Sequence, residues 1–521
     1  MNNKFKGYTQ GQLLLLPPSL EELIAPGHVA RVIDGFIKHL DIYSINNAFP
    51  GGGCPPYNPV MMLKVIIYAY CSKTFSSREI ERNLNQDIVY MWLSGMQRPD
   101  HNTINRFRSY YLSRVLDEVF FQVVWMLKEQ GYISLKELFV DGTKIEANAG
   151  RYTYVWRKTT ERNKENVRRK IALLLEEIDQ INAKEDKELG DRPNEELTIG
   201  DRVNPQDIRD KAEETSAALK KKAIGSSDKK EQALLKKKSR ELDQNIGKLK
   251  EYESREGILN GRNSYSKTDH DATFMRNKEN NLRPCYNPII STEGQYMVNV
   301  TLSQNSADCV GFIEHVNKLL DWKEGKLKPI NYVGDAGFGN EENYVYLSEQ
   351  GIENYLKYNN FGFEQTKKYL NNRFLPDNMG YDPQEDCYTC PAGRKILKTG
   401  ESRRETATGY TLTANIYQCE DCTGCPMSSE CKKNQGNKTF SKSDKLEMFK
   451  DQARRNLKSA KGIELQNQRG PDVETAWADI KHNMGIRKLR LRGLEKATME
   501  MLWISLAHNM KKVAKNHKKA A

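Results

Sequence analysis

The sequence predicts a mixed α/β protein. An all-α N-terminal domain precedes an α/β core, and two insertions interrupt that core, one a charged helical hairpin and one rich in cysteine. Three observations predict this. Strand-like and helix-like segments alternate between residues 286 and 358, the pattern of an α/β core. Residues 151–258 are highly charged and carry apolar residues at heptad spacing. Six of the ten cysteines fall between Cys387 and Cys431, and such clustering points to metal.

The helical N-terminal domain spans 1–130. "NPVMMLKVIIYAYCS" is apolar and of helical length. "SSREIERNLNQD" follows, with Ser76 or Ser77 able to cap it and Glu79 and Glu81 near its positive end. In "RPDHNTINRFRSYY", Asp100 or Asn102 can cap a helix that carries Arg106 and Arg108. Two capped helices joined by "SGMQRPD" fit a helix-turn-helix unit, and equally an ordinary small helical bundle.

In the hairpin insertion, Val167, Ile171, Leu174, Ile178 and Ile181 alternate steps of four and three. Leu235, Leu242, Ile246 and Leu249 form a second seam, with turn residues between the two in "DRPNEELTIGDRVNPQD". The expectation is two long helices pairing antiparallel or between subunits, acting as a spacer or interaction arm.

The core is expected over 131–150, 259–360 and 465–521. "CYNPIISTEGQYMVNVTLSQ" reads as a hairpin around Glu293 and Gly294. "DCVGFIEHVNKLLDW" reads as a helix with Phe312, Val316, Leu319 and Leu320 on one face. Two strands end on an aspartate followed by glycine-bearing loops: "LFVDGTKIE" at Asp141 and "NYVGDAGFG" at Asp335. Alone, Asp-Gly is a turn signal that needs no chemistry. In "GPDVETAWADIKHNMGIRK", Pro471 suits a helix start, and Glu474, Lys481 and Lys488 follow at intervals of seven, near one helix face.

Three acids have a chemical use. Two-metal phosphodiester chemistry needs hard oxygen ligands that hold the ions about 3.5–4 Å apart. Nearby acids compete for these places. Asp472 suits a cap, Glu146 a strand end, and Asp269 and Asp271 neighbouring support.

The charge balance is 81 Lys and Arg against 69 Asp and Glu, a net +12. Basic residues crowd the C-terminal end in "IRKLRLRGLEK" and "HNMKKVAKNHKKA", a stripe suited to a polyanion or to a solvated helix face. The N-terminal run of four leucines, Leu13 to Leu16, is too short for a secretory segment or a membrane span. A soluble, intracellular protein is expected, whose cysteines are not a disulfide framework.

In the Cys-rich insertion, 361–464, "CYTC" and "CEDCTGCPMSSEC" provide Cys387, Cys390, Cys419, Cys422, Cys425 and Cys431. Thiolates two residues apart can grip one Zn²⁺, and four make a closed structural site, so six candidates compete for four places. Cys54, Cys71, Cys285 and Cys309 stand alone as small apolar residues.

Taken together, "PPSLEELIAPGHVARVIDGF", "VDGTKIEANA", "TDHDATFM", "VGDAGFGNEEN" and "RGPDVETAWADIKHNMGIRKLRLRGLEK" resemble, in order, the segments of a bacterial insertion-sequence DDE transposase. The resemblance covers nearly the whole chain. It implies a ribonuclease-H-like core whose Asp141, Asp335 and Glu474 bind Mg²⁺ or Mn²⁺ for cleavage at terminal inverted repeats and strand transfer into target DNA. It implies a DNA contact at Lys481, with Arg469 a further candidate; Arg106 and Arg108 on the capped helix, and Arg487 and Lys488 in the basic stripe, are the other candidate DNA contacts. It favours Cys390, Cys422, Cys425 and Cys431 as structural Zn²⁺ ligands, with Cys387 and Cys419 as alternates. The implied partners are double-stranded DNA and further copies of the chain, as a homodimer or larger assembly. The implied location is the bacterial cytoplasm, at the nucleoid and away from membranes.

Overall fold

The computed structural model describes residues 19–47, 55–113, 115–189, 205–277 and 279–520. The leucine run at 13–16, Cys54 and most of the turn expected at 191–207 lie outside them. The chain divides into two compact units, one of residues 1–145 with 287–521, the other of residues 146–286. Among the described residues no helix is long and apolar enough to cross a membrane.

The first unit is built on a mixed sheet. Its strands are β1 (Glu137–Gly142), β2 (Leu282–Glu293, of which residues 287–293 lie in this unit), β3 (Tyr296–Ser303), β4 (Asn331–Gly339) and β5 (Glu353–Tyr358). Their order is β3-β2-β1-β4-β5. β2 runs antiparallel to both β1 and β3, whereas β1, β4 and β5 are parallel. Leu138, Phe139 and Val140 are all buried, so both faces of β1 are covered and its run is continuously apolar. The expected β2–β3 hairpin turns at Gly294 and Gln295, both at positive φ.

Helices cover this sheet. The Ala460–Ala478 helix sets Leu465 and Val473 against Phe139, Val333 and Tyr355. The Phe312–Leu320 helix buries Phe312, Val316 and Leu319 as expected, and Leu320 only in part. The Leu494–Ala520 helix packs both on β3 and on the Pro59–Cys71 helix, which is apolar nearly all round and therefore central. Asn58 caps that helix and Pro59 occupies its first turn.

Two local expectations change here. Pro471 does not start a helix: Ser459 caps it twelve residues earlier, and Pro471 lies inside. A proline there removes a hydrogen bond, and the buried Leu465 and Val473 flanking it offset that loss. Between the Ser77–Gln86 and His101–Arg106 helices stands a further short helix, Ile88–Ser94, capped by Asp87 and ended by Gly95 at φ 57°. Asp100 caps the third helix through Thr103 N.

The Cys-rich region forms a separate five-stranded antiparallel sheet of Gly380–Asp382, Cys387–Thr389, Lys395–Glu405, Thr411–Cys419 and Thr439–Lys442. Its small core gathers Met379, Tyr388, Ile396, Tyr417 and Cys419.

Among its described residues the second unit holds three helices, Arg157–Leu189, Pro205–Gly225 and Lys229–Leu259, rather than the expected two. All three pack on one another. The unexpected helix contributes Ala212, Leu219 and Ala223, a stripe mostly of alanine that stands out poorly as a periodic signal. In the first seam Leu175, not Leu174, is the fully buried leucine. Leu235, Leu242, Ile246 and Leu249 are all buried as expected.

Candidate functional site

Asp141 and Asp335 end two strands that lie side by side, because β1 and β4 pair in parallel. Both apolar runs therefore deliver their aspartates to the same edge of the sheet. The β4–β5 ladder is irregular between Gly334 and Gly339, which frees the Asp335 loop from strand pairing. Glycine is required at both ends of that loop. A Cβ at Gly334 would lie 2.6 Å from the Leu356 side chain, and one at Gly339 would lie 2.0 Å from the Lys357 carbonyl oxygen.

One side chain joins the two acids. Nη2 of Arg469, from the 460–478 helix, lies 2.8 Å from Asp141 Oδ1 and 3.4 Å from Asp335 Oδ2. Arg469 is largely buried, and its Nε has no hydrogen-bond partner. The guanidinium stands where a cation shared by the two carboxylates would stand. Lys357 on β5 is a second cation beside Asp335, and burial, then Arg469, hold its pKa below the usual lysine value. Glu474 is exposed on the same helix as Arg469, five residues further on.

Among the described residues no three His, Cys, Asp or Glu side chains are gathered closely enough to hold a metal ion. The donor chemistry of the two aspartates nevertheless fits a hard divalent cation: their oxygens already share one positive group. The cysteines fit less well. Cys390, Cys419, Cys422, Cys425 and Cys431 line one hollow of about 20 Å³, and Cys390 and Cys422 accept backbone N–H bonds from Arg394 and Lys438. Cys387 is buried and faces Glu385. Among the described residues no three of these thiols are gathered closely enough to hold an ion, so the expected zinc finds no support in this geometry.

The basic candidates divide. Lys481 donates to Thr143 Oγ1, two residues past Asp141. It reaches that strand end from a π-turn, Asp479–Asn483, that closes the helix. The chain then passes Gly485 at φ 71°, so Lys488 does not continue the helical row of Glu474 and Lys481. Arg487 and Lys488 are exposed in an irregular segment. Arg106 is exposed on its helix. Arg108 is 7% exposed and donates to the Phe75 carbonyl, which makes it a structural tie instead of a side chain offered to solvent.

The competing acids find structural partners. Asp472 is buried and accepts from Thr292 Oγ1 and Gln295 N, fastening its helix to the β2–β3 turn. Asp269 accepts from the Tyr286 hydroxyl, and Glu146 pairs with Arg283. Sequence reasoning missed Asp308, Asn287 and Lys357. Asp308 pairs with Lys144 at 3.1 Å and accepts from Asn287 Nδ2 at 2.7 Å, beside the Asp141 strand end. Neither spacing nor residue type singles these three out, because each comes from a different element.

Two family matches complete the picture. Residues 389–514 match the transposase DDE domain, a span that contains Glu474 and Lys481 and begins after Asp141 and Asp335. Residues 18–110 match the transposase domain (DUF772). No curated protein and no solved structure matches the chain. The two matched stretches, one toward each end, are both to transposase domains and support the resemblance to an insertion-sequence DDE transposase.

Proposed function

We propose that the chain cuts DNA at element ends and joins the freed 3′ ends to target DNA, with Asp141, Asp335 and Glu474 holding Mg²⁺ or Mn²⁺. The observation that carries this is the meeting of Asp141 and Asp335 at one guanidinium, from strands 194 residues apart in sequence. The strand order β3-β2-β1-β4-β5, with β2 antiparallel, supports a ribonuclease-H-like core. Glu474 stands on the helix that packs against β1 and β4 and that also carries Arg469, the side chain shared by the two aspartates.

The bound divalent ions would supply an activated oxygen nucleophile and charge stabilisation at the departing oxygen. The chain's own residues do the rest. Asp141 and Asp335 place the negative charge that attracts the ions. Arg469, once displaced from the aspartates, can offer the paired Nε and Nη2 donors to a DNA phosphate. Lys481 lies beside Thr143 and can neutralise a neighbouring phosphate. Arg106, Arg487 and Lys488 offer further exposed positive charge to the duplex.

The test is cleavage and strand transfer of end-containing DNA in Mg²⁺, comparing wild type with Glu474→Ala and Asp141→Ala. Loss of one ligand should lower cleavage at least about a hundredfold, since even outer partners of a metal site are worth about 10–100-fold. Undiminished cleavage by either variant would sink the assignment. Cleavage by wild type with no joined product would instead mark a nuclease.

A further inference from the structure

Two glycines beside the aspartates make room for one carboxylate. A Cβ built on Gly142 would lie 2.7 Å from Asp308 Oδ1, and one on Gly337 would lie 3.2 Å from Asp308 Oδ2. Gly142 immediately follows Asp141, and Gly337 lies two residues after Asp335, whose Oδ1 accepts from Gly337 N at 2.9 Å. Asp308 therefore touches both aspartate-bearing strand exits at once. It opens the turn Asp308–Gly311 that leads into the 312–320 helix.

Its own anchorage is firm. Lys144 Nζ, three residues past Asp141, lies 3.1 Å from Oδ1, and Asn287 Nδ2 lies 2.7 Å from the same oxygen. Asn287 is fully buried on β2, the strand on the other side of β1 from β4. The Asp308 side chain is 20% exposed. A charge-assisted, half-buried contact of this kind fixes geometry better than an exposed ion pair does.

We propose that Asp308 is a positioning residue of this site: its carboxylate, held by Lys144 and Asn287, sets the distance between the Asp141 and Asp335 strand ends. The proposal rests on the metal-dependent reading above. Its physical content is steric and hydrogen-bonded. Shortening Asp308 lets the Asp141–Lys144 exit and the Asp335–Gly337 loop relax independently, and a divalent cation that needs both aspartates then binds less well. Adding a methyl at Gly142 should spread the same two loops from the other side.

The experiment is Mn²⁺ binding to the full chain, read as free Mn²⁺ by electron paramagnetic resonance, with thermal unfolding followed in parallel. Asp308→Ala and Gly142→Ala should each weaken Mn²⁺ binding about tenfold, with the number of ions bound unchanged. Asp308→Asn, which keeps the shape and can still accept from Asn287, should recover most of the affinity. Wild-type affinity in Asp308→Ala and Gly142→Ala would overturn the proposal, whatever happens to the melting temperature. Loss of one bound ion, or an Asp308→Asn as weak as Asp308→Ala, would also overturn it, because the carboxylate would then be a ligand. A wild-type chain that binds no Mn²⁺ would remove the metal-dependent reading and this inference with it. Wild-type binding with unaffected variants would remove the inference alone.

Discussion

Arg469 spends its charge on two carboxylates and leaves its buried Nε without a partner. An unpartnered buried donor costs about 1–3 kcal/mol, so the guanidinium sits in a position that a better competitor can take. On the proposed function, a divalent cation and a DNA phosphate together are such competitors, one for the aspartates and one for the arginine. Arg469→Met is therefore expected to tighten Mn²⁺ binding in the absence of DNA, by about tenfold if about 1.4 kcal/mol of competition is removed. The same substitution should lower DNA cleavage. Calorimetric titration with Mn²⁺ checks the first half, and an affinity equal to or below wild type would show that the arginine does not compete. Arg108 shows the opposite use of the same side chain. Sequence placed it beside Arg106 as a DNA contact, yet its burial against the Phe75 carbonyl commits it to packing.

At the level of elements, the Asp335 loop depends on glycine at its return. A Cβ at Gly339 would meet the Lys357 carbonyl at 2.0 Å, a backbone atom that a rotamer change does not move. Gly339→Ala should cost about 3 kcal/mol or more through strand displacement, seen as a lower midpoint in urea, and an unchanged midpoint would contradict the β4–β5 geometry. The three-helix cluster is an independent element-scale case. Leu242 is fully buried there among Ile171, Leu235, Ile246 and Leu249. Leu242→Ala should destabilise the second unit by about 2–5 kcal/mol, read by hydrogen exchange of residues 229–259, with the β1 amides of the first unit as reference. The heptad seams were legible because leucine and isoleucine recur at fixed steps. The middle helix was not, because alanine carries little hydrophobic contrast.

Across the whole molecule, two buried ionisable groups make the first unit sensitive to acid. His315 is buried between Ser291 on β2 and Thr301 on β3, and loss of solvation holds its pKa down to about 3. The unfolded chain takes up that proton near pH 6.5 and the folded chain does not, so this group's contribution is complete above about pH 6.5 and declines below it, by about 1.4 kcal/mol per pH unit. Asp479 adds a second loss. Burial opposes its charge, but His508, Asn483 and Lys511 outweigh that and hold its carboxyl well below the usual range. Its contribution is present above the ordinary carboxylate pKa of about 3.9 and fades as pH falls further. Urea midpoints should therefore fall from pH 6.5 downward and more steeply below about pH 4. A flat profile between pH 6.5 and 4 would contradict the burial of His315.

The sequence by itself determined the local matters: apolar runs that become strands, the hairpin turn at Gly294, heptad faces, the Asp100 cap, and two aspartates at strand ends. These follow from side-chain periodicity and backbone preference, which act over a few residues. It also carried the transposase resemblance, through ordered motifs. Tertiary structure decided which acids meet. Parallel pairing of β1 with β4 brings Asp141 to Asp335, burial turns Asp472 into a turn anchor and Arg108 into a tie, and Asp308 reaches the site from a separate turn. Neighbours hundreds of residues apart leave no periodic trace in the chain. Only strand pairing and packing, which bury each side chain beside particular partners, assign them their roles.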